Sequence, residues 1–148
     1  MKITVAWIGK SRNPAIQALS DEYCQRIGHY AAIESVALKD EAALLALAGG
    51  SSRARGRQAL VLLDSRGTQL SSEELADFLR QHQERSPLAL LFAVGPADGF
   101  SEQARQAAAL VLSLGKITMA HELARVVLLE QLYRAFTIQK GHPYHFGH

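Results

Sequence analysis

Residues 88–95 of this chain are LALLFAVG, an apolar run without a single polar side chain. A run of this length and composition is typical of a β-strand that is buried on both sides. Strands of that kind occur in parallel sheets, where helices cover both faces. The run therefore predicts an α/β fold that is built around a parallel sheet.

The rest of the chain alternates between strand-like and helix-like segments. Short apolar runs predict four further strands at 3–9, 33–38, 59–64 and 110–115. Helical spacing and helix start signals predict helices at 13–27, 39–48, 71–83, 101–109 and 121–139. This alternation predicts a single α/β domain over residues 1–148.

The composition is that of an ordinary globular protein. Hydrophobic residues make up 48% of the chain and charged residues 20%, and the formal net charge is +2. No apolar run is long enough to cross a membrane, and the N-terminus lacks the pattern of a signal peptide. The only cysteine, Cys24, has no partner for an internal disulfide, which favours the reducing cytoplasm. The small positive charge implies that any RNA would be bound through a local patch.

Three predicted strands run into glycine-containing segments: LDSRG at 63–67, VGPADG at 94–99 and LGKITMA at 114–120. Ligands of parallel sheets bind outside the carboxyl ends of the strands, and glycine allows a close approach of the backbone. We therefore expect a small-molecule site at this edge. The first strand is followed by neither GxGxxG nor GxxxxGK[ST], which argues against a dinucleotide or NTP site there.

The last predicted helix is apolar around nearly its whole circumference at 126–129, so we expect it to be buried on two sides. One side would pack on the sheet and the other on a second copy, which predicts a homodimer. His121 and Arg125 share one face near the start of this helix, where anions are favoured. Arg125 is thus expected to contact a phosphate or carboxylate, or else an acidic residue of the same fold.

A second cationic stretch lies at 51–58, SSRARGRQ, and contains Arg53, Arg55 and Arg57. Such a stretch either contacts RNA phosphates, with a strong salt dependence, or is merely solvated.

Three segments then show a family resemblance: FAVGPADGF at 92–100, LSLGKITMAHELARVVLLEQLYRAFTI at 112–138 and HPYH at 142–145. They resemble the bacterial family that methylates N3 of a pseudouridine in large-subunit ribosomal RNA. That family belongs to the SPOUT superfamily of trefoil-knotted methyltransferases. The likeness begins at MKITVAWIGK and covers essentially the whole chain.

The resemblance implies a C-terminal trefoil knot, a homodimer and S-adenosyl-L-methionine as the cofactor. It implies a set of cofactor-binding positions: Leu63, Gly95, Leu114, Gly115, Lys116, Ile117, Thr118 and Met119. The chain departs from the family at Pro96, where a second glycine is usual. It also departs at Gly115, often serine, and at Ala120, often proline. These changes alter the expected hydrogen bonds to the cofactor.

The resemblance also assigns roles to the tail and to the last helix. It implies that Tyr144 and His145 of one subunit reach the cofactor of the other. Tyr144 would contact the target base and His145 would accept a proton or contact a phosphate. Arg125 would stabilise negative charge, and with His121 it would contact RNA.

Several alternatives remain open at this point. His142, His145 and His148 could form a metal site, although no cysteine lies nearby and no metal is expected. Residues 146–148 could be a frayed end. The chain could instead methylate transfer RNA, or it could be a knotted RNA-binding dimer without catalytic activity.

Overall fold

The computed structural model describes residues 1–10, 13–50, 56–96 and 98–147, with strands and helices in strict alternation. The strands are β1 Lys2–Ile8, β2 Ala32–Leu38, β3 Gln58–Gln69, β4 Ala89–Val94 and β5 Leu110–Ser113. The helices are α1 Pro14–Ile27, α2 Glu41–Ala48, α3 Ser72–Arg85, α4 Glu102–Ala107 and α5 His121–Gln139, and a single 3₁₀ turn, His145–Gly147, follows.

All five strands lie in one parallel sheet in the order β2-β1-β4-β3-β5. The apolar run that suggested the fold forms β4 at the centre, where Leu91 pairs with Thr4 of β1 and with Leu60 of β3. The predicted parallel α/β sheet is confirmed.

Helices cover both faces of this sheet, as the apolar strands predicted. Phe92 points into a core that α1, α3 and α5 close, and Leu91 points into a second core with α2 and α4. Both side chains are fully buried. Removing an apolar side chain of this size from water stabilises the fold by roughly 1.5–3 kcal/mol.

Local sequence signals explain where the helices begin. The Asn13 side chain accepts a hydrogen bond from the backbone N–H of Ala15 at 2.9 Å, directly before Pro14 at the start of α1. In α3, Ser71 and Glu74 form a reciprocal capping box with distances of 3.0 and 2.8 Å.

Helix α5, with 19 residues, packs on both α1 and α3. Its buried residues include Leu128, Leu129 and Leu132, whereas Leu123 in its first turn is 53% exposed. Among the described residues, no helix combines the length and apolar character that a membrane crossing requires. The homodimer remains a prediction.

Strand β3 extends further than the sequence indicated. We expected it to end near Asp64, but it continues to Gln69 after a shift in register between Leu63 and Thr68 along β5. The added residues are largely exposed and polar, so they carry no apolar pattern. Their strand geometry comes from pairing with β5, which a local pattern does not encode.

This pairing brings Gly67 against the backbone of Val111, and it yields a test. A Cβ atom at residue 67 would lie 2.5 Å from the Val111 carbonyl oxygen, which is closer than real Cβ atoms approach. We expect Gly67→Ala to lower the free energy of unfolding by about 1–3 kcal/mol in urea titrations, because β3 and β5 must separate. Gly56→Ala is the control, since a Cβ there meets nothing within 4 Å. Equal stability of the two variants would contradict this packing.

Candidate active site

A cavity of about 690 Å³, here called the strand-end cavity, lies between residues 63–66 of β3, the carboxyl ends of β4 and β5, and the first turn of α5. Its lining comes from residues 63–66, 94–96, 98–99, 114–115, 117–121 and from Ala124. A cavity of this size is in the range of small-molecule and cofactor sites, roughly 300–1,000 Å³.

The structure brings together the positions that the resemblance assigned to a cofactor. All of them line the cavity except Lys116: Leu63, Gly95, Leu114, Gly115, Ile117, Thr118 and Met119. Lys116 is exposed to solvent. The three glycine-containing segments thus meet as expected, while cofactor binding by each residue stays a prediction.

A buried serine fixes the segment between β5 and α5. Ser113, 3% exposed, accepts a hydrogen bond from the backbone N–H of Gly115 at 3.1 Å. Its hydroxyl lies within donating distance of two carbonyl oxygens, 2.9 Å from that of Gly115 and 3.2 Å from that of Ser65. Gly115 has φ +129°, a conformation that favours glycine. The serine therefore ties the end of β5 to the second half of β3.

The segment after β4 is shaped by an aromatic ring. A Cβ atom at Gly95 would lie 2.6 Å from the Phe100 ring, so the ring packs directly on the glycine. The carbonyl oxygen of Pro96 accepts a hydrogen bond from Gly99 N–H at 3.0 Å, which closes a turn. Pro96, which departs from the family pattern, thus contributes its carbonyl oxygen to the hydrogen bond that closes this turn.

Asp64 is a paired carboxylate in the cavity wall. Its side chain, 7% exposed, pairs with Arg105 of α4 and accepts a hydrogen bond from the backbone N–H of Arg66 at 2.8 Å. Burial alone raises the pKa of Asp64, but the hydrogen bonds from Arg66 and the charge of Arg105 outweigh it and lower the pKa below its usual value. Sequence analysis did not single out Asp64, Arg105 or Ser113, although Asp64 lies within the LDSRG segment.

His121 and Arg125, expected to act together, occupy different environments. His121 lines the cavity, whereas the Arg125 side chain is 1% exposed and its guanidinium lies 3.9 Å from the centre of the Trp7 ring. Burial lowers the pKa of Arg125, but an arginine remains cationic. In a single chain Arg125 is thus part of the packing between α5 and β1, and its role in RNA binding or catalysis stays a prediction.

The tail folds back on its own chain, away from the cavity lining. Tyr144 donates a hydrogen bond to Glu130 at 3.0 Å, and His145 contacts Arg134 and Glu73. We call these five residues the tail cluster. None of them lines the strand-end cavity. Burial and then the hydrogen bond to Glu130 raise the pKa of Tyr144 to about 12, so its hydroxyl keeps its proton at neutral pH.

The remaining predicted site residues lie elsewhere. Arg57 is exposed at the amino end of β3, opposite the cavity, and Arg53 and Arg55 lie outside the described residues. Within the described part of the chain, no group of three or more His, Cys, Asp or Glu side chains is arranged to hold a metal ion.

The Asp64 interactions predict a pH-dependent contribution to stability. The pKa of Asp64 is lower in the folded protein than in the unfolded chain. Its contribution to stability is therefore fully present above the pKa of the unfolded chain, about 3.9, and is lost as the pH falls through the pKa of the folded protein. We expect Asp64→Asn to lower the free energy of unfolding by about 1–3 kcal/mol at pH 7, and this difference to shrink in acid.

Asp77→Asn is the matched control, because Asp77 is 66% exposed and lies 3.6 Å from Arg80. Urea titrations at neutral and acidic pH measure the free energy of unfolding of both variants. A loss for Asp64→Asn that is independent of pH would contradict the assignment.

Comparison with solved structures supports the fold. The chain aligns with the SpoU methyltransferase AviRb of Streptomyces viridochromogenes, solved in complex with AdoMet, with a TM-score of 0.53 and 14% identity, over 88% of this chain and 56% of that chain. A probable methyltransferase of Bordetella pertussis aligns with a TM-score of 0.57 and 9% identity, over 90% and 93% of the two chains. At these identities the likeness shows the fold alone.

Sequence comparison reaches further. The family described as "Predicted SPOUT methyltransferase" matches residues 1–145. Ribosomal RNA large subunit methyltransferase H of Koribacter versatilis is 51% identical over the full length of both chains. The protein of that name from Gloeobacter violaceus is 41% identical, over 99% of this chain and all of the other. The chain therefore belongs to the SPOUT methyltransferase family.

Proposed function

We propose that this protein transfers a methyl group from S-adenosyl-L-methionine to N3 of a pseudouridine in large-subunit ribosomal RNA. The observation that carries this proposal is the full-length similarity to proteins named as large-subunit ribosomal RNA methyltransferases. The strand-end cavity supports it independently, since it joins the three segments that the sequence indicated.

The chemistry of the cavity wall fits this cofactor. Leu63, Leu114 and Ile117 provide apolar surface for a nucleoside, and the glycine-containing backbone allows close approach. Asp98 also lines the cavity and offers a carboxylate to an ammonium or sulfonium group. Bound there, S-adenosyl-L-methionine supplies an electrophilic methyl group on a sulfonium with a good leaving group. The chain has to orient the base and remove the N3 proton.

The tail is our candidate for those tasks, and its position supports a homodimer. Arg134, which His145 contacts, and His121, which lines the cavity, lie more than three helical turns apart on α5, roughly 20 Å along the axis. One chain therefore keeps its own tail apart from its own cavity. We propose that a second copy brings its Tyr144 and His145 to this cavity, and that the C-terminal part is threaded as a trefoil knot within one domain. The exposed Leu123 and Ile117 offer apolar surface for such a contact.

RNA would approach the open side of the cavity. His121 lies in the cavity wall, and Lys116 is exposed beside it. The described chain has the size of one small α/β unit, so we propose that it recognises the shape of an assembled ribosomal surface in the cytoplasm. Arg57 lies at the opposite sheet edge, and as an RNA contact it would need a second RNA segment or the second copy.

Mass mapping of methyl groups tests this function. The purified protein and the cofactor are added to ribosomes, large subunits, free ribosomal RNA or transfer RNA from cells without the modification. We expect a methyl group on N3 of a pseudouridine in large-subunit RNA. Methylation of transfer RNA alone would contradict the substrate, and the absence of cofactor binding in calorimetry would contradict the activity.

The tail has a test of its own. We expect removal of residues 142–148 to abolish methyl transfer and to leave cofactor affinity within about threefold, because the cavity lining comes from residues 63–124, which the truncation keeps. Calorimetry and single-turnover assays measure the two quantities. Removal of residues 146–148 alone is the control, since it keeps both side chains. Full activity of the longer truncation would rule out the role of the tail.

A further inference from the structure

The imidazole of His145 is held at both of its nitrogen atoms by charged groups from two different helices. Nε2 lies 2.6 Å from Oε1 of Glu73 in α3, and Nδ1 lies 3.2 Å from Nη1 of Arg134 in α5. The histidine side chain is 22% exposed, so these contacts form at a partly covered site.

These two partners define the tautomer of the ring. A guanidinium has only donors, so the nitrogen that faces Arg134 must accept a hydrogen bond. An ionised carboxylate has only acceptors, so the nitrogen that faces Glu73 must carry the proton. The hydrogen-bond chemistry thus assigns a neutral imidazole with its proton on Nε2 and its lone pair on Nδ1.

Both partners are themselves held in place. Glu73 lies in the first turn of α3, between Ser71 and Glu74 of the capping box, and Arg134 forms an ion pair with Glu130 at 2.7 Å. A backbone hydrogen bond and then the contact with His145 lower the pKa of Glu73, so this carboxylate is ionised at neutral pH. Glu130 also accepts a hydrogen bond from the hydroxyl of Tyr144, so Tyr144 and His145 are connected through Glu130 and Arg134.

We propose that Glu73 and Arg134 are positioning residues that present Nδ1 of His145 as the atom that accepts the N3 proton. The proposal rests on the proposed function, since it needs an N3–H substrate. While no nucleobase is bound, Arg134 donates a hydrogen bond to Nδ1 of His145. The N3–H group of a bound pseudouridine would replace Arg134 as the donor to this nitrogen. Glu73 would then stabilise the imidazolium that forms, as a carboxylate does for other catalytic histidines.

The transfer balances in atoms and charge. The bond between sulfur and the methyl carbon breaks with its electron pair on sulfur, a bond between N3 and that carbon forms, and the N3 proton passes to Nδ1 of His145. The positive charge of the sulfonium thus ends on the imidazolium, next to the ionised Glu73.

The tautomer of His145 tests the proposal without cofactor or RNA. In ¹⁵N NMR spectra of the full-length protein, assigned by His145→Gln, we expect the Nε2–H tautomer to dominate. Glu73→Ala and Arg134→Met should each give a mixture of tautomers. Glu73→Gln and Arg134→Lys should keep the Nε2–H tautomer dominant, because glutamine retains an acceptor for Nε2–H and lysine retains a donor for Nδ1. Glu84→Gln is the control, since Glu84 lies on the same helix and pairs with the exposed Arg80.

Single-turnover methyl transfer provides the second readout. We expect Glu73→Gln to slow the transfer about tenfold or more with unchanged cofactor affinity, because the tautomer persists but the imidazolium loses its counter-charge. Glu84→Gln should match the unaltered protein.

A dominant Nδ1–H tautomer in the unaltered protein would overturn the proposal, and so would a transfer rate that Glu73→Gln leaves unchanged. If the unaltered protein methylates no RNA, the proposed function fails and the base role of Nδ1 fails with it. The NMR spectrum would still decide whether Glu73 and Arg134 fix the ring.

Discussion

The adjacency of three parallel strands, β4, β3 and β5, is the constraint on which the candidate site depends. Parallel neighbours end at the same edge of a sheet, and they lie about 4.8 Å apart. Segments that are separated by some twenty to fifty positions in sequence therefore meet within roughly 10 Å. Gly67 and Ser113 keep β3 and β5 at this spacing, the first by having no side chain and the second by its hydrogen bonds.

Much of this arrangement was predictable from local patterns. The apolar run of β4 indicated a sheet that is covered on both faces, and the helices predicted from residues 13 and 71 begin one residue later, at Pro14 and Ser72. The extension of β3 was not predictable, because its residues beyond Asp64 are polar and take their conformation from β5. The pair of Asp64 and Arg105 had no signal either, since the two residues are 41 positions apart and meet only in the folded chain.

The tail shows the same division between motif and context. The HPYH motif identified Tyr144 and His145, but it said nothing of Glu73, which lies 72 positions earlier in the sequence. The family resemblance likewise assigned chemistry to Arg125, while the structure of one chain adds that its guanidinium is buried on an aromatic ring. Motifs thus selected candidate residues, and the fold determined which atoms of those residues are accessible.

The stacking of Arg125 on Trp7 gives the protein a built-in optical probe. Trp7 is the only tryptophan of the chain, it is 8% exposed, and its ring touches the helix whose first turn forms one wall of the strand-end cavity. Indole emission responds to a nearby cation and to water. The intrinsic tryptophan fluorescence of this protein therefore reports the packing of α5 against β1, with no label attached.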